Sequence, residues 1–315
     1  MLTFFSRRLL GLVLTLVAVS LVVFLVLEVL PGDVAQMILG TEAREDTLAA
    51  LRHQLGLDRP AHVRYFAWIG GILRGDLGVS HTYGVPVVEL IGQRLAVTAP
   101  LAALAFLMST LLAVPLGMFA ASRRGRAGDW GVMAFSQIGL AIPNFWFAIL
   151  LILIFAVWLR LAPAGGFPGW EAGILPGLSA LLLPALALAL TEAAILARIA
   201  RASVLETLGA DYVRTARAKG LSPRAVMWRH VLRNAMIPVT TVMGLQFAFL
   251  LGGAVIVENV FTLPGLGRLA LQAIFQRDAV VVKDVALLLA GMVVLVNFLV
   301  DLACVAIDPR PKVAT

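Results

Sequence analysis

The chain has 315 residues, of which 61% are hydrophobic and only 14% charged, against roughly 25% charged in an average soluble protein. That composition excludes an ordinary water-soluble enzyme and points to a chain dissolved largely in lipid, with a mean hydropathy of +0.96. The formal charge of +7 suggests nucleic acid or an anionic surface only until the 25 basic residues are placed along the chain.

About 20 apolar residues cross a bilayer core as a helix. Runs of that length are predicted at 9–30, 96–121, 131–159, 178–200, 235–257 and 284–306. The first follows Arg7 and Arg8, but it is too long for a signal peptide and no small-residue cleavage site follows, so it is read as a retained helix ended by Pro31 and Gly32. Next comes the only stretch that looks water-soluble, 31–95. It carries Asp33, Glu42, Glu45, Asp46, Asp58, Asp76 and Glu89 among arginines, and "EAREDTLAALRHQLGL" reads as a short amphipathic helix. A solvated loop packed on the bundle and a docking surface for an outside partner are both compatible with it. "RGRAG" at 124–128 is a tight turn, and Pro115, Pro143 and Pro184 in or beside spans either kink helices or simply pack.

With the N-terminus inside, fifteen basic residues fall on the inner side: Arg7 and Arg8, Arg123 to Arg126, the group from Arg198 to Arg233, and Arg310 with Lys312. The short outer loops carry four, and the long segment is largely exempt from the rule. The basic residues thus orient a membrane protein with both termini cytoplasmic, and no nucleic-acid partner is expected. Cys304 is the single cysteine and permits no internal disulfide, and His53, His62, His81 and His230 show no metal-ligand spacing.

The basic segment 211–238, "DYVRTARAKGLSPRAVMWRHVLRNAMIP", cannot span, because each Arg at the bilayer centre costs roughly 2.5 to 3.5 kcal/mol. Asp211 is the expected N-cap of a helix running to Lys219, Gly220 stops it, and Ser222 with Pro223 starts a second helix. At 100° per residue Met227, Trp228, Val231 and Leu232 share one arc, with Arg229, His230 and Arg233 facing away. Such an element either lies on lipid headgroups or fits a groove in another protein.

This stretch and its continuation "HVLRNAMIPVTTVMGLQ" resemble the cytoplasmic loop of ABC importer permeases of the dipeptide/oligopeptide/nickel type. "LPGD" at 30–33, "LGLDRP" at 55–60, "GDLGVS" at 75–80, "IPNFW" at 142–146, "FTLPGLGR" at 261–268 and "NFLVDL" at 297–302 add to the likeness in the same order, over nearly the whole chain. In that family the loop carries the EAA motif. Laid on this chain, Gly220 is its glycine, Arg214, Thr215 and Ala216 occupy the triplet, and His230 and Arg233 replace the Ile and Pro of the general pattern.

The resemblance implies an all-α polytopic membrane protein with six transmembrane helices and an external helical segment between spans 1 and 2, the type I ABC importer permease fold. Its expected parts are an N-terminal helix (1–30), an external segment (31–93), a transmembrane domain (94–307) with the coupling loop at 201–234, and a cytoplasmic tail (308–315) in a bacterial inner membrane. The loop residues implied to couple to the ATPase are Asp211, Arg214, Thr215, Ala216, Arg217, Gly220, Met227, Trp228, Val231 and Leu232. Implied partners are a second homologous permease subunit, two cytoplasmic ABC ATPase subunits and an external substrate-binding protein, besides the lipid bilayer. The chain's three lysines lie outside any G-K-[ST] context, so ATP is expected to be used by partner subunits and no cofactor is bound here. Peptides are the first expected cargo, with nickel, glutathione or another small solute next.

Polar residues inside spans are functional candidates. Glu192, Asn144, Gln246 and Glu258 are candidates for a pathway or gate, with Gln137 and Asn297 beside them. The alternative for Glu192 and for Asp301 is a pairing with an arginine such as Arg198 or Arg201, or snorkelling to an interface, and for the amides ordinary interhelical hydrogen bonds. A stand-alone secondary transporter is the competing function. It would call for coupling-ion sites in broken helices and two similar halves, neither of which is seen in the sequence. An intramembrane enzyme lacks a base to partner Cys304.

Overall fold

The structure is a computed structural model. It describes residues 2–29, 34–39, 43–54 and 56–307. The expected helix end at Pro31 and Gly32, the "LPGD" stretch with Asp33, Glu42, Leu55 and the tail with Arg310 and Lys312 lie outside the described residues.

In chain order the helices are α1 (Leu2–Val29), α2 (Val34–Leu39), α3 (Glu45–Gln54), α4 (Ala61–Leu73), α5 (Val87–Ser122), α6 (Ala127–Ala141) and α7 (Asn144–Leu151). A π-helical turn, Ile152–Trp158, extends α7, and a 3-10 turn, Trp170–Ala172, precedes α8 (Ile174–Leu208). Then come α9 (Asp211–Ala218), α10 (Pro223–Ala225), a second π turn (Val226–Val231), α11 (Leu232–Val260), α12 (Leu266–Phe275) and α13 (Ala279–Ile307). The described residues form no strand, only one isolated bridge between Val79 and Pro86.

Among the described residues, five helices are long and apolar enough to cross a membrane: those within Ser6–Val29, Val87–Ser122, Ile174–Leu208, Pro223–Val260 and Ala279–Cys304. The third expected span, 131–159, is not one straight helix. It is α6 followed by α7 and its π turn, bent by 103°. The cause is local: Pro143 has no N–H to give and forces the residue before it out of the helical region, so Ile142 sits at φ −97°, ψ 123°. At 15 residues α6 is about 22 Å long, short of a 30 Å hydrocarbon core. Counting the bent pair as one span gives six. Pro115 and Pro184, by contrast, stay inside the unbroken helices α5 and α8.

The chain divides into two compact units, Met1–Val97 with Gly265–Val294, and Thr98–Pro264 with Leu295–Thr315. In the first, α4 is fastened to α1 by polar and aromatic contacts. The Tyr65 hydroxyl lies 2.8 Å from that of Ser20, Phe24 stacks on Trp68 and meets Tyr65 edge-on, and Arg64 pairs with Glu28. Trp68 donates its indole N–H to Asp284 at 2.6 Å, and the Lys283 ammonium lies 5.4 Å over the Trp68 ring. Asp278 ties the loop before α5 to the start of α13, accepting from the Ser80 hydroxyl at 2.6 Å and from the Thr82 and Val281 amides. Val87, Leu90 and Ile91 pack with Leu266, Leu269, Ala273, Val281 and Val285 beneath. Within 31–95 the expected helix forms as α3, with Glu45 and Asp46 in its first turn and Arg52 and His53 in its last, the charge order its dipole favours.

The second unit is built around α8. The most apolar 18-residue stretch of α8 is 72% buried, so this helix forms the middle of the unit. Small residues let its neighbours approach: a Cβ on Gly117 would stand 2.6 Å from Ala200, and one on Gly139 2.5 Å from Ala194. Ala113, Ala120, Val132, Ala193, Leu196, Ala197, Ala200 and Val239 share one core there.

Candidate functional site

The basic segment after α8 folds as an elbow. α8 stops at Leu208, Gly209 caps it, and Ala210 is extended before α9. Ala210, not Asp211, is the N-cap. Asp211 lies one residue inside, where its carboxylate faces the helix dipole and pairs at 3.6 Å with Arg214. Thr215 turns its hydroxyl back to the Asp211 carbonyl. Gly220 ends the limb at φ +81°, the left-handed region that glycine enters without strain. Its N–H reaches the Arg217 carbonyl at 2.9 Å, and the Leu221 N–H reaches that of Ala216 at 3.3 Å, a closed Schellman turn. Ser222 then accepts from the Ala225 N–H with Pro223 in the first helical position. From Pro223 the helix runs unbroken through the π turn into α11, 38 residues to Val260. The second limb is thus the beginning of the next span.

The faces of the elbow differ from the 100° arc. Val213, Ala216, Val226 and Val231 are buried against Met118 and Ala121 of α5, Val204 of α8 and Ala235 of α11, with Met227 and Leu232 partly packed on the same cluster. Val231, expected on the docking face, is fully buried in the chain's own core. The π turn explains the difference: i→i+5 bonding brings residues five apart, Val226 and Val231, onto one side, whereas the arc assumed 3.6 residues per turn. The exposed side includes Trp228 at 64%, Tyr212, Leu221, the carboxylate Asp211 and the cations Arg214, Arg217, Lys219, Arg224 and Arg229.

Beside the elbow stands an ion pair that sequence reasoning did not identify. Arg201 of α8 grips Asp129 of α6 two-pronged, Nε to Oδ1 at 2.5 Å and Nη2 to Oδ2 at 2.7 Å. Asp129 is 4% exposed and also accepts from the Gly125 N–H, closing the Arg123–Arg126 turn. The pairing of Arg201 with Glu192 considered from sequence therefore does not occur, and Arg198 is exposed. The available signal was weak: Asp129 is the one acid between Arg126 and Arg160.

Of the pathway candidates, the structure brings Glu192 and Gln246 together. Gln246 of α11 donates its side-chain amide to the Glu192 backbone carbonyl at 3.0 Å. Glu192 is 4% exposed, and its Oε2 has no hydrogen-bond partner among the described residues. Asn144 opens α7 and rests on Gly253 of α11, where a Cβ would come within 2.7 Å of its amide nitrogen. Glu258 is fully buried and accepts from Thr98 Oγ1 at 2.6 Å. Asn297 lies against Gly244, whereas Gln137 is exposed.

Two family descriptions match the chain: "Binding-protein-dependent transport system inner membrane component" over residues 113–313, and the N-terminal component of such systems over residues 1–102. The "Probable peptide ABC transporter permease protein y4tP" of Sinorhizobium fredii is 41% identical over 96% of this chain and 97% of its own. The "Glutathione transport system permease protein GsiC" of Salmonella choleraesuis is 42% identical over 98% of each. Among solved structures, an inward-facing MetNI methionine ABC transporter chain aligns with a TM-score of 0.58 at 20% identity, covering 70% of this chain and 97% of that one, a likeness of fold. These findings favour the permease over the stand-alone secondary transporter. The chain belongs to the binding-protein-dependent transport system inner membrane components, as a multi-pass permease subunit of a peptide-family ABC importer that works with ATPase and substrate-binding partners.

Proposed function

We propose that the elbow of α9 and α10, within the coupling loop 201–234, is the handle by which two ABC ATPase subunits drive this permease. The observation that carries the reading is the division of the elbow's surface. One side is locked into the chain's own core, and the other presents Trp228, Tyr212 and a row of arginines to whatever lies beyond. A handle has to be stiff on one side and grippable on the other. An aromatic flanked by cations is the composition of interface anchors, and the sealed Schellman turn supplies the stiffness. Asp211, Thr215 and Ala216 shape α9, Gly220 sets the elbow, Val231 seats it with partial help from Met227 and Leu232, and Arg214, Arg217 and Trp228 face the partner.

In this reading both termini are cytoplasmic, 31–93 is the external segment and 94–307 the transmembrane domain. A second homologous permease completes the pathway, and an external binding protein delivers the cargo. Peptides are the favoured cargo, in line with the names of the relatives, one of which is a glutathione system. ATP is consumed by the ATPases, and this chain holds no cofactor. Glu192, Asn144, Gln246 and Glu258 line or gate the pathway; a carboxyl as buried as that of Glu192, with an oxygen unpartnered, is costly unless a proton or a passing cationic group shares it.

The test is co-purification from membranes with the ATPases. Reversal of Arg214 and Arg217 to Glu is expected to abolish uptake and to strip or uncouple ATP hydrolysis while the chain still inserts. Wild-type hydrolysis and uptake in that variant would remove the elbow from this role.

A further inference from the structure

We propose that the Asp129–Arg201 pair is a positioning clamp of the transport cycle: it fixes α6 in register on α8, so that α6 travels with the elbow and carries its displacement to the break at Ile142–Pro143. The inference rests on the reading of the elbow as the ATPase handle. It begins from what else holds α6. Along its length α6 meets α8 through small residues, Gly139 against Ala194 at one end and Val132 among alanines in the middle. Small-residue contacts permit close approach but contain no directional bond. The two-pronged guanidinium–carboxylate bond is directional, and it sits at the end of α6 nearest the elbow.

The same level of the molecule is fastened twice more. The Ser203 hydroxyl, two residues along α8 from Arg201, donates to the Ala235 carbonyl of α11 at 2.8 Å. Val204, next along, belongs to the cluster that seats the elbow. Gly125 donates to Asp129 and closes the Arg-rich turn. α6, α8, α11 and the elbow are therefore tied at one height, and the first free joint along α6 lies 14 residues from Asp129, at Pro143. Beyond that joint stands Asn144, packed on Gly253 of α11. A clamp of this kind adds little to stability, since the desolvation of a buried pair offsets most of its attraction. Its worth is in register.

The experiment uses the assembled complex of permeases and ATPases in lipid nanodiscs, with Cys304→Ser as background and spin labels at Gly131→Cys and Glu206→Cys, one on α6 and one on α8, both exposed. Distances are read at rest and after trapping with ATP and vanadate. With the clamp intact, one unchanged distance is expected in both states. Asp129→Asn, which leaves the Arg201 charge without its partner, is expected to lower the melting temperature yet to keep subunit yield and to show a state-dependent shift of about 2 Å or more, the scale of helix shifts in switching proteins. The charge swap Asp129→Arg with Arg201→Asp is expected to restore the single distance. A wild-type distance that changes on trapping, an Asp129→Asn distance that stays the same in both states, or a swap that leaves the shift in place would overturn the clamp. Trp228→Ala, followed by ATPase co-purification, separates the two readings: full retention of ATPase there refutes the handle, whatever the labels report.

Discussion

Two of the helix interruptions in the second unit are built in opposite ways. At Gly220 the break is tied by hydrogen bonds on both sides: the Gly220 and Leu221 N–H groups bond back into α9, Ser222 caps α10, and Val213, Ala216, Val226 and Val231 bury the inner side. At Ile142–Pro143 the chain turns by 103° with no side-chain cap on α7, and Ile142 and Asn144 are only half-buried. A break whose donors and apolar surface are satisfied resists deformation, and one held by a single proline can hinge. The same device, a stop between two helices, thus yields a stiff elbow in one place and a joint in the other.

The largest effect is expected from Gly220→Pro. Proline cannot reach φ +81°, and it deletes the N–H that bonds to Arg217, so the elbow should lose about 3 kcal/mol or more. The chain still inserts, because its apolar spans are unchanged. ATP hydrolysis in the purified complex should fall to that of ATPase alone. Gly220→Ala makes the comparison graded: the left-handed conformation costs an L-residue roughly 1 to 2 kcal/mol and keeps the N–H, so partial coupling should survive.

Next is Trp228→Ala. The ring is largely exposed, so the melting temperature should hardly move, within about 0.5 kcal/mol. Should the ring anchor the partner, ATPase affinity drops by about 2 kcal/mol, roughly 30-fold, measured by titrating ATPase onto nanodisc-held permease. A stability loss without an affinity loss would place Trp228 in the core and undo the division of faces. A third variant probes the close packing on which the elbow rests. Gly117→Leu drives a side chain into Ala200 and the α8 backbone and should cost about 1 to 3 kcal/mol in melting experiments, whereas Gly131→Ala, with open space around it, should be neutral or slightly stabilising.

What the sequence allowed to be read follows from how each feature is encoded. Spans were legible because a bilayer demands a long unbroken apolar run, and Gly220 was legible because a glycine between a basic helix end and a Ser-Pro start has few other uses. Asp211 was placed one residue out, since Ala210 has no chemistry to advertise a cap. The docking arc was misjudged at Val231 because a π turn leaves no mark in a pattern read at 3.6 residues per turn. The Asp129–Arg201 pair joins residues 72 apart and has no periodic signal at all. In the first unit, α4 escaped notice because Tyr65 and Trp68 mix with Arg64 and glycines, and its anchoring to Ser20, Glu28 and Asp284 is likewise long-range.

The smallest expected effect sharpens the comparison most. Pro143→Ala returns an N–H to position 143 and releases Ile142 from its proline neighbour, so the α conformation becomes available across the break. Since the bend buries little, the thermodynamic change should be under about 1 kcal/mol. The informative readout is the angle: spin labels at Gly131 and Val157, an exposed site on the far limb, should report a longer separation as α6 and α7 straighten, with ATPase binding untouched. If the separation stays put, packing of Asn144 against Gly253 holds the bend and the proline merely occupies it. The break would then be as determined as the elbow, and the joint through which α6 is supposed to act would be gone.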